Sequence, residues 1–344
     1  MMNLIIPSLL ISCFGLFNLF GIKPSFAFNQ LLFLIISFGI FFFIRKIGRH
    51  FFQLNAKFFY WLFIFILIAT FIIGFEVKGS RRWIDLYFFK FQASEFFKIV
   101  LILFLSEFLV QRKNIINSFS IYVKALLYFI LPLFIFFKQP DLGDAMVLTF
   151  IFFAMILFSD FPKKYLIYTL LGTIFIIPLG WFFLKDYQRA RLLSFFSPHI
   201  DTQGTAYNMI QAMITVGSGQ FFGRGLGLGT QSRLLFLPEN HTDFAFSSLV
   251  EQFGFFGGTI VILLYGFIIY KIAKRLVHFY FQKDEEGRKN FLFCAGILSY
   301  IVFQVFVNVG MNLGLLPVAG ISLPFISYGG SSVLALMIGF ALIP

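Results

Sequence analysis

The chain has 344 residues, 59% of them hydrophobic and 12% charged, against about 45–50% apolar and ~25% charged in soluble domains, so an ordinary soluble fold is excluded. A bilayer crossing takes ~20 apolar residues, which leaves material for about ten crossings and little else. The 57 Phe exclude a disordered chain, and the formal charge of +12 is spread between apolar runs, which predicts membrane topology and no nucleic-acid partner.

Ten apolar stretches predict ten transmembrane helices, at about 4–21, 28–44, 58–75, 94–110, 122–137, 145–159, 165–184, 243–270, 291–310 and 331–343. The expected class is an all-α polytopic membrane protein, a single transmembrane domain over 1–344. The first run starts at Leu4 without the basic region or cleavage site of a secretory signal, so it is expected to stay as a helix. The even-numbered loops carry fifteen Lys or Arg, among them Arg45, Lys46, Arg112, Lys113, Lys163, Lys274 and Arg288. The positive-inside rule therefore places those loops and both termini in the cytoplasm. Segment 185–242 becomes a large extracytoplasmic loop before the eighth helix. With the stretch 314–330 it is rich in Gly, Pro and Ser yet keeps apolar runs, which predicts that both fold back against the membrane.

Charges at membrane depth are costly, so each is a candidate for function. Glu95 and Lys98 open the fourth helix at i, i+3 on one face, as a structural ion pair or as working groups; spacing does not choose. Glu107 reads as interfacial. Asp141, in the turn Gln139-Pro140-Asp141-Leu142-Gly143-Asp144, either caps the next helix or faces a cavity. Gly217 to Gly229 could cradle an anion on exposed N–H groups, with Arg224 beside it, or could simply be flexible. The eighth helix is read as starting at Asp243, with Ser247 and Glu251 on the same stripe; N-capping is the bland account of Asp243. Gly254 and Gly258 read as a GxxxG helix contact. Cys13 and Cys294 lack CxxC spacing, and the four His stand at no ligand spacing, so no protein-ligated structural metal is expected.

Seven segments in order carry a resemblance: GSRRWI (79–84), FQASEFFK (91–98), QPDLG (139–143), YQRARLLSFFSP (187–198), GTAYNMIQAMITVGSGQFFGRGLGLGTQS (204–232), LPENHTDFAFSSLVEQFGFFG (237–257) and NVGMNLGLLPVAGISLPFISYGGSS (308–332). With these motifs the chain resembles the SEDS family (shape, elongation, division and sporulation), which includes RodA, FtsW and SpoVE. The GTQS at 229–232, the short N-terminus and the missing C-terminal tail look more like the elongation branch, RodA, than the division branch, FtsW. Departures from the family pattern are Ala93, Asp144, Ala245 and Ala319, together with Gln252 where a second acid is usual.

The resemblance implies a peptidoglycan glycosyltransferase that polymerises lipid II for wall elongation in the bacterial inner membrane. Its expected partners are a class B penicillin-binding protein and other elongation-complex proteins, and the family suggests a divalent cation, Mg²⁺ or Mn²⁺. The transfer inverts the anomeric centre, and pyrophosphate already leaves well, so one general base suffices. Asp243, the acid of the PExxTDF motif, is the expected base. Arg82, Glu95, Lys98, Asp141, Arg189, Arg191 and Glu239 form the expected substrate and charge cluster, the cations among them meeting the leaving diphosphate. A lipid II flippase, the division-specific paralogue, or a scaffold that only activates its transpeptidase partner are the competing readings.

Overall fold

The computed structural model describes residues 2–77, 80–85, 90–110, 118–183, 186–196 and 205–344. Arg112 and Lys113 of the even-numbered loops, and the motif residues Gly79, Ser197, Pro198 and Gly204, lie outside the described residues. The chain opens with α1 (Met2–Ile22), α2 (Pro24–Ile47), the short α3 (Arg49–Leu54) and α4 (Ala56–Ile73). Strands β1 (Phe75–Val77), β2 (Ser80–Asp85) and β3 (Lys90–Phe91) follow, then α5 (Ala93–Val110), α6 (Ser118–Lys138), α7 (Leu142–Phe158) and α8 (Lys163–Phe183). The last part holds α9 (Asp186–Phe196), α10 (Thr205–Ser218), α11 (Thr230–Arg233), α12 (Ala245–Tyr280), α13 (Glu285–Asn312) and α14 (Gly330–Leu342).

Among the described residues each of the ten predicted stretches lies on a helix, with some ends that overrun it by one or two residues. Among the described residues six helices are long and apolar enough to cross a bilayer by themselves: α1, α2, α4, α6, α12 and α13. The helices α7 and α14 are apolar but shorter. Large apolar side chains such as Phe28, Ile35, Phe65, Ile72 and Leu263 stand exposed. A soluble protein would bury so many, whereas lipid accepts them. The protein is a multi-pass helical membrane protein.

Three expectations are corrected in detail. The segment after α4 is no plain loop: β1, β2 and β3 form a small antiparallel sheet in that order, and the middle strand bears the strand-favouring Trp83 and Ile84. Segment 185–242 carries α9, α10 and α11, so much of it is helical. The eighth predicted helix starts at Ala245, two residues later than expected, and runs to Tyr280 with a break at Gly254 (φ 71°, ψ −174°). Thirty-six unbroken residues would make ~54 Å of helix, far more than a ~30 Å hydrocarbon core.

The chain divides into two compact units. One comprises Met1–Ile36, Leu184–Tyr270 and Val302–Val333; the other comprises Ser37–Phe183, Lys271–Ile301 and Leu334–Pro344. In the second unit α5 is the central helix: sixteen of its eighteen residues are buried, and it packs against α3, α4, α6 and α7. A helix surrounded on all sides by protein can carry Glu95, Lys98 and Glu107 at a depth where a lipid-facing helix cannot. Paired rings, Tyr60 tilted against Phe104 (4.6 Å between centroids) and Phe129 stacked on Phe152 (4.3 Å), fill the space around it.

In the first unit, α1 is tied to the start of α12. Asn18 Nδ2 donates to the Ala245 carbonyl and to Ser248 Oγ, each at 3.2 Å. The stretch 314–329 is held at Pro324, whose carbonyl accepts from Tyr265 Oη. A Cβ at Gly15 would collide with the Phe325 carbonyl, so the backbones of α1 and this stretch meet closely.

Candidate active site

In the first unit Pro238 to Phe244 forms a tight non-helical turn directly before α12. Its reversal is made at Glu239, which adopts φ 53° and whose carbonyl accepts from the N–H groups of Thr242 and Phe244, both at 3.1 Å. The Glu239 carboxylate accepts from Thr242 Oγ1 at 2.8 Å. Asn240 is buried, donating from Nδ2 to the Ser232 carbonyl at 2.6 Å. His241 stacks on Phe26 with centroids 4.6 Å apart. Beneath the turn, Leu237, Phe244 and Ala212 form a buried apolar cluster with Val318 against it.

Asp243 ends this turn and is partly exposed. The side chains around it are identified by Gly320, which adopts φ +66°. A Cβ there would lie 3.6 Å from Asp243 Oδ2 and 3.4 Å from Arg191 Nη1. The missing side chain of Gly320 is thus the space on which the acid and the guanidinium converge. Arg189 lies on the same helix, α9, but two residues are ~200° apart round the axis, so the two guanidinium stems leave different faces.

The Gly-rich segment 217–229 is not an open anion cradle. The N–H groups of Gln231 (2.8 Å) and Ser232 (3.0 Å) donate to the buried carboxylate of Glu251, and Ser232 Oγ adds a third bond. Glu251 thus satisfies donors at the start of α11, just past the Gly-rich segment. Around it, Arg224 N donates to the Glu251 carbonyl (2.9 Å) and Gly225 N to the Gln252 carbonyl (3.1 Å). The expected GxxxG contact is likewise replaced: Gly254 is where the backbone of 221–223 presses on α12, and any Cβ would strike Gly223 N.

The second unit holds the other half of the predicted cluster. Arg82, on β2, reaches Asp141 Oδ1 at 3.0 Å while its guanidinium lies over the Trp83 ring. Asp141 does cap α7, accepting from Asp144 N at 3.2 Å. Burial pushes the Asp141 carboxyl up to about 6 although Arg82 draws it down. Lys98 is wholly buried, with Nζ 2.8 Å from Glu95 Oε2, 2.9 Å from Asp144 Oδ1 and 5.1 Å from the Tyr300 ring centre. Asp144 also accepts from Ser94 Oγ and from Gln92 Nε2 (3.2 Å). Tyr300 Oη donates to Glu95 at 3.2 Å. Glu107 pairs with Lys289 at 3.1 Å. The eight predicted site residues thus fall in two groups: Arg189, Arg191, Glu239 and Asp243 in one unit, Arg82, Glu95, Lys98 and Asp141 in the other.

The comparisons with known proteins bear on the whole chain. Residues 4–344 match the FTSW_RODA_SPOVE family model, described as cell cycle protein. The chain belongs to this family. It is 32% identical over 322 residues to the probable peptidoglycan glycosyltransferase FtsW of Buchnera aphidicola, covering 92% of this chain and 82% of that one. To the peptidoglycan glycosyltransferase MrdB of Escherichia coli K12 it is 34% identical over 292 residues, covering 84% and 76%. A solved chain from a peptidoglycan synthase complex that coordinates polymerization and crosslinking superposes with TM-score 0.85 at 27% identity, covering 100% of this chain and 96% of that one. The fold also matches Thermus thermophilus RodA, with TM-score 0.73 at 24% identity over 100% of this chain and 95% of that one.

Two departures from the family pattern acquire a structural sense. Asp144, where the family usually has a small residue, gives Lys98 a second carboxylate. Gln252, where an acid is usual, donates from Nε2 to the Asn18 carbonyl (3.0 Å) and to Asn18 Oδ1 (2.7 Å), and its Oε1 accepts from Gly227 N (3.1 Å). The sequence offered signals for both, since each was a visible exception. Asn308 and Asn312, which bind the backbone of Asp243, belong to the site as well, and their signal in the sequence is two amides one turn apart at membrane depth.

Proposed function

We infer that this chain is a peptidoglycan glycosyltransferase that polymerises lipid II, with Asp243 as general base, in the elongation role. The observation that carries the base assignment is the convergence of Asp243 Oδ2 and Arg191 Nη1 on the space at Gly320, at the end of a turn in which the carbonyls of His241, Thr242 and Asp243 are held. A carboxylate on an anchored backbone is what proton abstraction from a sugar hydroxyl requires. The acceptor 4-hydroxyl gives its proton to Asp243 as its oxygen bonds to the anomeric carbon. The bond from that carbon to the diphosphate oxygen breaks, and undecaprenyl pyrophosphate departs with the electron pair. Arg191, whose guanidinium faces the same space as the base, is the cation this reading assigns to the negative charge that develops on the departing diphosphate.

The partner that fits this reading is a class B penicillin-binding protein, which crosslinks what the polymerase makes. The location is the bacterial inner membrane, with both termini and the Lys/Arg-rich loops cytoplasmic. Among the described residues no three His, Cys, Asp or Glu side chains converge to hold the divalent cation that the family resemblance suggests.

The test is polymerisation of lipid II by the purified chain in detergent, with and without its transpeptidase partner and a divalent cation. Glycan strands are the expected product, and Asp243→Asn is expected to abolish them while the protein still folds and binds its partner. Detergent offers no two leaflets, so a protein that only flips lipid II yields no strands there. Equal activity in Asp243→Asn would refute the base assignment.

A further inference from the structure

We propose that Asn312 and Asn308 are positioning residues that hold Asp243 off the end of α12, and that catalysis depends on this grip. The inference rests on Asp243 being the base.

In a continuous α-helix the Ser247 N–H would donate to the Asp243 carbonyl, four residues back. Here the side-chain amide of Asn312 stands between them. Its Oδ1 accepts from Ser247 N at 2.9 Å and from Ser247 Oγ at 2.6 Å, and its Nδ2 donates to the Asp243 carbonyl at 3.1 Å. One amide has been inserted into one rung of the helical ladder. That insertion is the physical reason α12 begins at Ala245 although Asp243 has the spacing of a first helical residue.

Asn308 lies one turn earlier on the same face of α13 and is as completely buried. Its Nδ2 donates to the same Asp243 carbonyl at 3.1 Å and to the Ile321 carbonyl at 2.7 Å. Two donors on one carbonyl use both of its lone pairs. The second bond of Asn308 also fixes the residue after Gly320, so one side chain sets both walls of the space at the acid. Asn312 Nδ2 reaches the Asn308 carbonyl at 2.8 Å, which locks the two amides in register. The two preceding carbonyls are held from the same stretch of chain, His241 by Tyr328 N (2.7 Å) and Thr242 by Ser327 Oγ (2.6 Å). Three consecutive main-chain oxygens are thus clamped in a turn whose acid stays partly exposed.

Asn312→Ala lets Ser247 N reclaim the Asp243 carbonyl, so the helix repairs itself and the carboxylate shifts by about the width of the removed amide. A misplacement of ~1 Å can cost ~10²-fold. For purified Asn312→Ala and Asn308→Ala with a lipid-linked disaccharide diphosphate, kcat is expected to fall at least about tenfold while KM stays within about twofold. The acid limb of the pH–rate profile is expected to shift with it, and the protein to stay folded at the assay temperature although its unfolding midpoint falls, because buried partners lose a bond. Both variants within about twofold of the unaltered kcat, beside an inactive Asp243→Asn, overturn the clamp and leave the base standing. A change in KM alone, or a loss of activity matched by loss of folded protein, overturns it as well. An active Asp243→Asn overturns the base and the clamp together.

Discussion

At the scale of single residues, two positions have consequences that their chemistry alone does not suggest. Gly320 is required twice, by its φ of +66° and by the atoms its Cβ would meet. Gly320→Ala is expected to cost about 1 kcal/mol through backbone strain. It is also expected to lower kcat by at least ~10-fold, because the methyl enters the space between Arg191 and Asp243; steady-state kinetics beside a melting curve separates the two effects. Lys98 is the second such position. It neutralises two buried carboxylates at once, so Lys98→Ala leaves both uncompensated and is expected to destabilise the fold by about 3–5 kcal/mol. Asp144→Ala leaves the Glu95–Lys98 pair intact and is expected to cost less than half as much. Unfolding midpoints in detergent that came out in the reverse order would show that Lys98 is not the keystone of this cluster.

At the scale of elements, the break in α12 organises the first unit. Ala245 to Phe253 is a short helix whose start is tied to α1 through Asn18 and to α13 through Asn312, and whose end is pinned by Glu251 and Gln252 to the Gly-rich segment. Gln252 does what an acid cannot, because it donates to the Asn18 carbonyl. Gln252→Glu restores the residue type common in the family, yet it sets a carboxylate against two oxygens of Asn18. It is expected to destabilise the protein by roughly 1–3 kcal/mol and to raise amide exchange at 225–233, read by hydrogen–deuterium exchange. Stability equal to that of the unaltered chain would mean that the amide donation contributes nothing.

At the scale of the whole molecule, the charge distribution makes a topological prediction. The exposed turn between α12 and α13 carries Lys283 and Asp284 with Arg288 just beyond, so by the positive-inside rule it is expected in the cytoplasm. A cysteine at Asp284, in a chain with Cys13 and Cys294 replaced by Ser, is expected to react with a membrane-impermeant maleimide only after the cells are opened. Labelling of intact cells would invert the topology and, with it, place the turn holding Asp243 on the wrong side for a substrate whose sugars are outside.

What the sequence determined by itself was whatever is written in short range or in composition. Runs of ~20 apolar residues place the spans because lipid cannot satisfy a backbone that is not helical. The i, i+3 spacing of Glu95 and Lys98 places them on one face, and the motif order carries the family. Tertiary structure alone decided the partners. Lys98 meets Asp144 across 46 residues, and Asp243 meets Asn308 and Asn312 across 65 and 69. A helix that is apolar all round does not announce which face meets protein and which meets lipid, since both surroundings accept the same side chains. Which amide stands in the ladder of α12, and therefore where its acid points, is settled only when the helices pack.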